Sequence, residues 1–201
     1  MSFWTVPRFW VGRTVAVMAS GSSMSLAVAD QVRAARLPSV VVNSTWQLAP
    51  WADLLYAADE EWWKQNPDAM EFAGIKVSVA SVEGVMRIKS TGMKGFDPDQ
   101  RNVRLGGNSS YQAVHIAMHT GAKRILLCGV DMGGKHWHPE HAAPLRSTPD
   151  WAYQRWITLF GGLAKAATEH GIEIWNCSPI SALKCFEFVR LESALAIVNE
   201  E

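Results

Sequence analysis

Several features that whole classes of protein require are scarce or missing in this sequence. It has only three cysteines, Cys128, Cys177 and Cys185, and none of them stands in a CxxC motif. An odd number without that spacing argues against a disulfide framework and a cysteine zinc site, so we expect three reduced, buried thiols. No uncharged apolar run approaches the roughly 18 residues of a membrane span, and the N-terminus lacks the order of regions of a signal peptide. We therefore expect a cytoplasmic protein.

The sequence also has no excess of charge of either sign. Nineteen Lys and Arg residues balance 19 Asp and Glu residues, and no long basic run is present. Proteins that bind duplex nucleic acid usually carry a strong basic surplus, so we expect no nucleic-acid partner. The length of 201 residues with 48% apolar side chains is that of one domain with a sizeable core, because single domains commonly have about 100 to 200 residues.

Tryptophan, in contrast, is abundant, with ten residues. Most of them are expected to pack in the core. A cluster between polar loops could instead present flat faces to a nucleobase or a sugar ring.

Short runs rich in Val, Ile and Leu alternate with helical patterns along the chain. This alternation is typical of a parallel sheet with helices on both faces, so we predict a Rossmann-like α/β fold. We expect a loop at 90–104, a histidine-bearing loop at about 130–147, and a helix that Thr148 caps and Pro149 begins. The predicted strands are 14–19, 40–43, 54–58, 75–79, 86–89, 124–128 and, as the last strand, 172–176; the predicted helices are 24–35, 60–66, 111–120, 148–170 and a C-terminal segment.

Two glycine- and serine-rich turns precede predicted helices. The first, Ser20–Ser23, follows the first strand, and the second, Gly106–Ser110, opens the helix before the strand at 124–128. Backbone N–H groups at a helix N-terminus attract anions, and paired glycines let a ligand approach the backbone closely. Neither turn matches GxGxxG or a P-loop, and serine caps on tight turns would explain the pattern equally well.

In open α/β sheets ligands bind beyond the carboxyl ends of the strands. We therefore predict that both turns and two strand-end side chains meet in one nucleotide-sized site. Its members are Ser20, Gly21, Ser22, Ser23, Asn43, Gly107, Asn108, Ser109, Ser110 and Asp131.

Two sets of histidines could carry chemistry. His136, His138 and His141 form an HxHxxH pattern in the loop, where imidazoles can act as a base, contact phosphate or hold a metal. His115 and His119 are four apart on a predicted helix, but HIAMH lacks the glutamate of HExxH, and we expect them on a partly exposed helix face. We expect no metal site. The sequence shows neither a GxSxG motif nor a paired-carboxylate motif, so nothing indicates a hydrolase.

The order of short motifs resembles a known group of proteins. The motifs are AVMASGSSMS, VVNSTW, LLYAADEEWW, GGNSSYQAVHIAMHTGAKRILLCGVDM and IEIWNCSPISAL. They resemble phage and prophage proteins related to the bacterial sialyltransferases of glycosyltransferase family 42, and the broader 6-hydroxymethylpterin diphosphokinase MptE-like family. The resemblance spans roughly residues 14 to 185.

The resemblance implies specific roles for several residues. Gly21 and Ser23 match a first-strand turn that binds CMP in such sialyltransferases, and Asn43 matches an asparagine at the end of the second strand. Asn108–Ser110 match their Ser-Gly turn. The catalytic base of that family is a loop histidine, a role that falls to His138 or His141 here.

The leading hypothesis is therefore a phage-type nucleotide-binding protein, a small glycosyltransferase-like enzyme that uses a nucleotide-activated donor, of CMP type or another. One alternative is a non-catalytic nucleotide- or metabolite-binding protein, or a phage structural or host-interaction protein. Another is a pterin or nucleotide pyrophosphoryl transferase, which would need magnesium on Asp59 and Asp131. A small-molecule nucleotide is the expected partner, and a homo-oligomer stays open.

Overall fold

An eight-stranded sheet, in which all the pairings of the described residues are parallel, organises the chain. The computed structural model describes residues 2–133, 135–138 and 148–200. The strands lie in the order β10-β9-β8-β1-β2-β3-β4-β5, and β6 and β7 form a separate parallel pair. Their bounds are β1 Thr14–Met18, β2 Ser39–Val42, β3 Leu54–Tyr56, β4 Ile75–Ser78, β5 Met86–Arg87, β6 Lys89–Ser90, β7 Asn102–Val103, β8 Arg124–Cys128, β9 Glu173–Asn176 and β10 Glu187–Phe188.

Five α-helices accompany these strands in the described part of the chain. They are α1 Leu26–Ala34, α2 Glu60–Gln65, α3 Ser109–His119, α4 Asp150–Glu169 and α5 Leu191–Glu200, and short 3₁₀ turns cover Asn43–Gln47 and Pro67–Glu71. None of the helices in residues 2–133, 135–138 and 148–200 is long and apolar enough to cross a membrane.

The two central strands, β1 and β8, have continuous apolar sequences because both of their faces are covered. Every residue of β1 (TVAVM) and of β8 (RILLC) is buried, and the two strands pair from Thr14 with Arg124 to Met18 with Cys128. A strand buried on both faces has a continuous apolar run instead of an alternating one. The core consequently forms two apolar clusters. The predicted Rossmann-like α/β fold is confirmed.

The chain reverses its direction of travel across the sheet at β1. From β1 it proceeds through β2, β3, β4 and β5 on one side, and after α3 it continues with β8 and β9 on the other. The turns that leave β1 and β8 therefore diverge and open a crevice at the carboxyl edge of the sheet. This topology, which local patterns do not specify, decides where the candidate site lies.

Several local expectations are wrong. Asp150 begins α4 with Pro149 in the capping position and no side-chain cap bond, so Thr148 is not the cap. The strand at 173–176 is not the last, because β10 follows it. Cys185 is exposed, unlike the other two cysteines.

The segment 90–104 is not simply an exposed loop, since β7 anchors it and Val103 is fully buried. It packs on α3, where His115 Nδ1 accepts from the Arg104 N–H at 3.2 Å and Phe96 contacts both His115 and His119. Both histidines are buried, contrary to the expected exposed face. Desolvation, as the main cause, lowers the pKa of His115 to about 3.

The tryptophans are less uniformly buried than expected. Only Trp10, Trp62 and Trp63 are fully in the core, while Trp151 is exposed and the other six are half-buried.

Candidate functional site

A cavity of about 340 Å³ lies at the carboxyl edge of the sheet, at the point where the chain reverses direction. Its walls come from the ends of β1, β2 and β8, from the starts of α2, α3 and α4, and from residues 135–136. The volume is at the lower end of the range of about 300 to 1,000 Å³ typical of small-molecule sites.

The turn before α3 presents a helix N-terminus to this cavity. Asn108 is the N-cap, and its side chain accepts from the Tyr111 N–H at 3.0 Å. The N–H groups of Ser109 and Ser110 belong to the first helical turn, where no intrahelical acceptor exists, and both residues line the cavity. A ligand anion placed here would meet both these N–H groups and the positive end of the helix dipole.

The turn after β1 differs because a carboxylate of the protein itself already binds it. Asp131, which follows β8 and is buried, accepts from the Ser23 N–H at 2.8 Å and from the hydroxyl groups of Ser22 and Ser23. A Cβ on Gly21 would lie 2.6 Å from the Asp131 carboxyl carbon, so glycine is needed for this approach. The cap of α1 is Ser25, an exposed residue that does not line the cavity.

Two non-glycine residues of the cavity wall have a left-handed backbone, Asn43 with φ 49° and Met132 with φ 51°. Such conformations cost about 1 to 3 kcal/mol and cluster at functional sites. Asn43 Oδ1 is in addition buried without a hydrogen-bond partner among the described residues. A strained backbone and an unsatisfied acceptor on one residue indicate that Asn43 has a role beyond packing.

The histidine-bearing loop lies against the end of β1. His136 Nδ1 is 3.0 Å from the Ser20 carbonyl oxygen, which also accepts from the Trp137 N–H at 3.2 Å. A carbonyl oxygen can only accept, so we assign a proton to His136 Nδ1; in the neutral imidazole the lone pair is then on Nε2. His136 lines the cavity, whereas His138 stacks behind it with ring centroids 5.1 Å apart.

Aromatic side chains form two opposite walls. Trp62 of α2 stands on one side, and Tyr153 and Trp156 of α4 stand on the other, with their rings edge to face at 5.2 Å. A Cβ on Gly107 would lie 2.4 Å from Trp156 Nε1, and Gly107 has a φ of 80°. On that side of the second turn, the close approach that glycine permits is therefore already used by Trp156.

The charges of the cavity are mixed. Asp59 and Asp131 line it together with Lys135. Burial raises the pKa of Asp59 from its ordinary value. Behind Asp59, the pKa of the Tyr56 phenol is well above its ordinary value, chiefly because of burial and secondarily because of the nearby Asp59 carboxyl. A ligand with one anionic group at α3 and neutral groups elsewhere would fit these charges.

We find no candidate metal site in residues 2–133, 135–138 and 148–200. No three His, Cys, Asp or Glu side chains of this part of the chain lie close enough together to hold an ion. His141 lies outside the described residues, so the HxHxxH pattern as a whole is not covered by this statement.

The structure brings together most of the residues selected from the sequence. The members of the predicted site that line the cavity are Ser20, Gly21, Asn43, Gly107, Asn108, Ser109, Ser110 and Asp131. Ser22 and Ser23 do not line it and instead bind Asp131. That these residues bind a nucleotide stays a prediction, as does a catalytic role for His138 or His141.

Sequence reasoning missed other lining residues, among them Trp62, Lys135 and Trp156. His136 belonged to the HxHxxH pattern but was not selected, because spacing alone does not show which imidazole faces inward. For Trp62 and Trp156 the abundance of tryptophan was the only available signal.

Comparison with solved structures finds the same fold in a glycosyltransferase. The sialyltransferase CstII from Campylobacter jejuni, solved in complex with the substrate analogue CMP-3FNeuAc, aligns with 88% of this chain and 86% of its own at a TM-score of 0.50. The sequence identity is 12%, so the likeness is one of fold. No protein-family model and no curated protein matches the chain.

Proposed function

We propose that the protein is a nucleotide-binding, glycosyltransferase-like enzyme that uses a nucleotide-activated donor. The observation that carries this proposal is one cavity that is lined both by the N-terminal residues of α3 and by His136, whose Nδ1 lies 3.0 Å from the Ser20 carbonyl oxygen. The sialyltransferase fold supports it. From the sequence resemblance we further infer a phage or prophage origin.

The number of available helix ends favours a donor with one phosphate. The first turn is bound by the Asp131 carboxylate, which would repel a second phosphate, whereas Ser109 and Ser110, at the N-terminus of α3, line the cavity. A nucleoside monophosphate sugar, of CMP type, fits this arrangement better than a nucleoside diphosphate sugar. Asn43 would then direct its unsatisfied Oδ1 to a hydroxyl or amino group of the donor.

His136 is the residue best placed to accept a proton. An acceptor hydroxyl oxygen would attack the anomeric carbon, its proton would move to Nε2, and the bond to the phosphate would break, with the electron pair leaving on the nucleotide. The N–H groups of α3 would stabilise the charge that develops on that leaving phosphate. His138, which stacks on His136, and His141 are the alternative bases that the resemblance implies.

The magnesium-dependent pyrophosphoryl alternative is less well supported. It needs Asp59 and Asp131 as metal ligands, but both carboxylate oxygens of Asp131 already accept hydrogen bonds from Ser22 or Ser23. A metal there would have to displace these contacts.

Ligand-induced stabilisation tests the binding part of the proposal. The melting temperature is measured with CMP, CDP, UDP, GDP and ATP, each with and without magnesium. CMP at 100 times its dissociation constant would add about 2.7 kcal/mol to the free energy of unfolding. Stabilisation by ATP only with magnesium would favour the pyrophosphoryl alternative, and no response to any nucleotide would refute the proposal.

Turnover of a CMP-activated sugar tests the catalytic part. His136→Gln should lower the rate by about 10²- to 10⁴-fold with little change in CMP affinity. His138→Gln is the matched control, because it changes the neighbouring ring without changing a lining residue. A rate lost only in His138→Gln would move the base to His138, and CMP binding without turnover in the unmodified protein would leave a non-catalytic binding protein.

A further inference from the structure

The edge of the sheet opposite the cavity carries a surface that the proposed function does not use. Here the turn between Pro7 and Thr14 meets the end of α3 and the start of β8. The Gly12 N–H donates to the Gly121 carbonyl, and the Lys123 N–H donates to the Arg13 carbonyl, both at 2.9 Å. These bonds fix the turn to the N-terminal ends of the central strands.

The turn exposes apolar side chains instead of burying them. Phe9 is 40% exposed and Val11 is 60% exposed, while Trp10 between them is only 7% exposed. Trp10 anchors the turn, because its ring packs against Phe9 and its N–H donates to the Thr120 carbonyl at 3.0 Å. The two apolar tips are thus held outward on a rigid base.

Basic side chains surround these tips. Arg8 and Arg13 flank them in the sequence, and an ideal Cβ on Gly121 would lie 2.9 Å from Val11 Cγ2 and 3.4 Å from Arg8 Nη2. Arg36 lies at the same edge, because Pro38, which follows it closely in the chain, accepts a backbone hydrogen bond from β1.

Four arginines of this edge are exposed, and none of these four is in an ion pair within the described residues. They are Arg8, Arg13, Arg33 and Arg36. Acidic residues of this edge include Glu169, which pairs with Lys165 at 3.9 Å, Glu173, which pairs with Arg124 at 2.7 Å, and Asp53, which accepts from the Ser39 N–H at 2.8 Å. The charges of the whole chain balance. A local basic surplus at this edge therefore means that charge is separated over the surface.

Helix termini explain only part of this surplus. Arg33 is in the last turn of α1, where a cation complements the negative end of the helix dipole. Arg8 and Arg13 belong to no helix, and they stand on either side of the exposed Phe9 and Val11. Together, the apolar tips and their basic flanks have the chemistry of a surface that enters the boundary between anionic headgroups and acyl chains.

We propose that this edge, defined by Arg8, Phe9, Val11, Arg13 and Arg36, docks the protein on an anionic lipid surface. Phe9 and Val11 enter the interfacial region, and the basic side chains bind lipid phosphates. The cavity is at the opposite edge of the parallel sheet, so docking leaves it open to solution. This proposal is independent of the proposed nucleotide chemistry.

Co-sedimentation of the full chain with vesicles tests the proposal. Vesicles of phosphatidylcholine alone are compared with vesicles containing about one third phosphatidylglycerol, at low and high salt. Binding should require the anionic lipid and weaken with salt. The double variant Arg8→Glu, Arg13→Glu should lower the partition coefficient by more than about 25-fold, since each basic residue near such a surface contributes about fivefold.

Matched controls separate docking from general charge and from folding. Lys94→Glu with Arg155→Glu changes the charge equally at other exposed positions and should leave binding unchanged. Phe9→Ser with Val11→Ser should weaken binding, whereas Ile180→Ser with Phe188→Ser, which removes comparably exposed side chains, should not. Circular dichroism confirms that each variant is folded.

Two results would overturn the proposal. Equal partition onto neutral and anionic vesicles, or no partition onto either, would show that no anionic lipid surface is recognised. Loss of binding in the arginine variant with full retention in the Phe9, Val11 variant would show a polyanion site without insertion. Neither result would affect the nucleotide-binding experiments.

Discussion

The two glycine- and serine-rich turns have similar compositions and meet at one cavity, yet they are opposite in their capacity for an anion. In the turn after β1, the Asp131 carboxylate already accepts from Ser23, and the helix cap lies outside the cavity. In the turn before α3, Asn108 caps the helix, and Ser109 and Ser110 of the first helical turn line the cavity. The function of such a turn therefore depends on which side chains the fold places opposite it.

The largest expected effect concerns the backbone that shapes the second turn. Gly106 has a φ of 58°, and a Cβ there would lie 1.9 Å from the Tyr111 ring, itself fully buried. Gly106→Val should therefore lower the free energy of unfolding by more than about 3 kcal/mol, measured by urea denaturation. Gly171→Ala, at a φ of 66° with nothing within 4 Å, should cost only about 1 kcal/mol. Equal losses would show that backbone strain, and not the ring, restricts this turn.

The next largest effect is expected when the carboxylate that occupies the first turn is removed. Asp131→Ala leaves the Ser23 N–H without its acceptor and should cost about 2 kcal/mol of stability. Inorganic phosphate should restore part of this loss in the variant and should stabilise it more than it stabilises the parent protein. The measurement is the melting temperature against phosphate concentration. An identical response of both proteins would mean that the first turn cannot bind anions even when it is free.

A matched pair of cap substitutions tests which of the two turns contributes to CMP affinity. Aspartate caps helices as well as asparagine or serine, so Asn108→Asp and Ser25→Asp should both preserve stability. Asn108→Asp places a negative charge beside the cavity and should lower CMP affinity by about tenfold or more. Ser25→Asp, whose cap is off the cavity, should not change it. Calorimetric titration distinguishes these outcomes, and equal effects of both variants would remove α3 as the phosphate site.

A smaller effect is expected in acid, which should destabilise α3 more than α1. His115 and His119 are buried in α3, and desolvation lowers both pKa values, that of His115 to about 3. Between about pH 6.5 and 3 the unfolded chain binds more protons at His115, so stability is complete above the unfolded pKa and falls as the pH decreases. Between pH 6.5 and 5.5 the loss is about 1 kcal/mol for His115. Hydrogen exchange should show α3 opening before α1, which contains no histidine.

His115→Gln is the control for this acid effect. It should flatten the dependence of unfolding free energy on pH in that range. A slope that survives His115→Gln would assign the acid sensitivity to other groups.

Much of the fold could be predicted because its signals are local. The runs TVAVM and RILLC predicted β1 and β8 since strands buried on both faces need continuous apolar residues. The start of α4 was misplaced by one residue, because Pro149, predicted as the first helical residue, also fits the capping position. The burial of His115 and His119 was missed because segment 90–104 covers α3, and no local pattern announces that packing.

The sequence alone was enough to predict the fold class, the two turns and eight of the residues that line the cavity, since glycine, serine and strand-end polar residues are adjacent along the chain to the elements they serve. How these parts act depends on the tertiary structure. Asp131 reaches Ser23 across 108 positions, and the Ser20 carbonyl selects the imidazole of His136 across 116. Such contacts depend on the order of strands at the point of reversal. A carboxylate or an imidazole has the same local sequence whether it closes a turn, lines a cavity or stacks behind another ring.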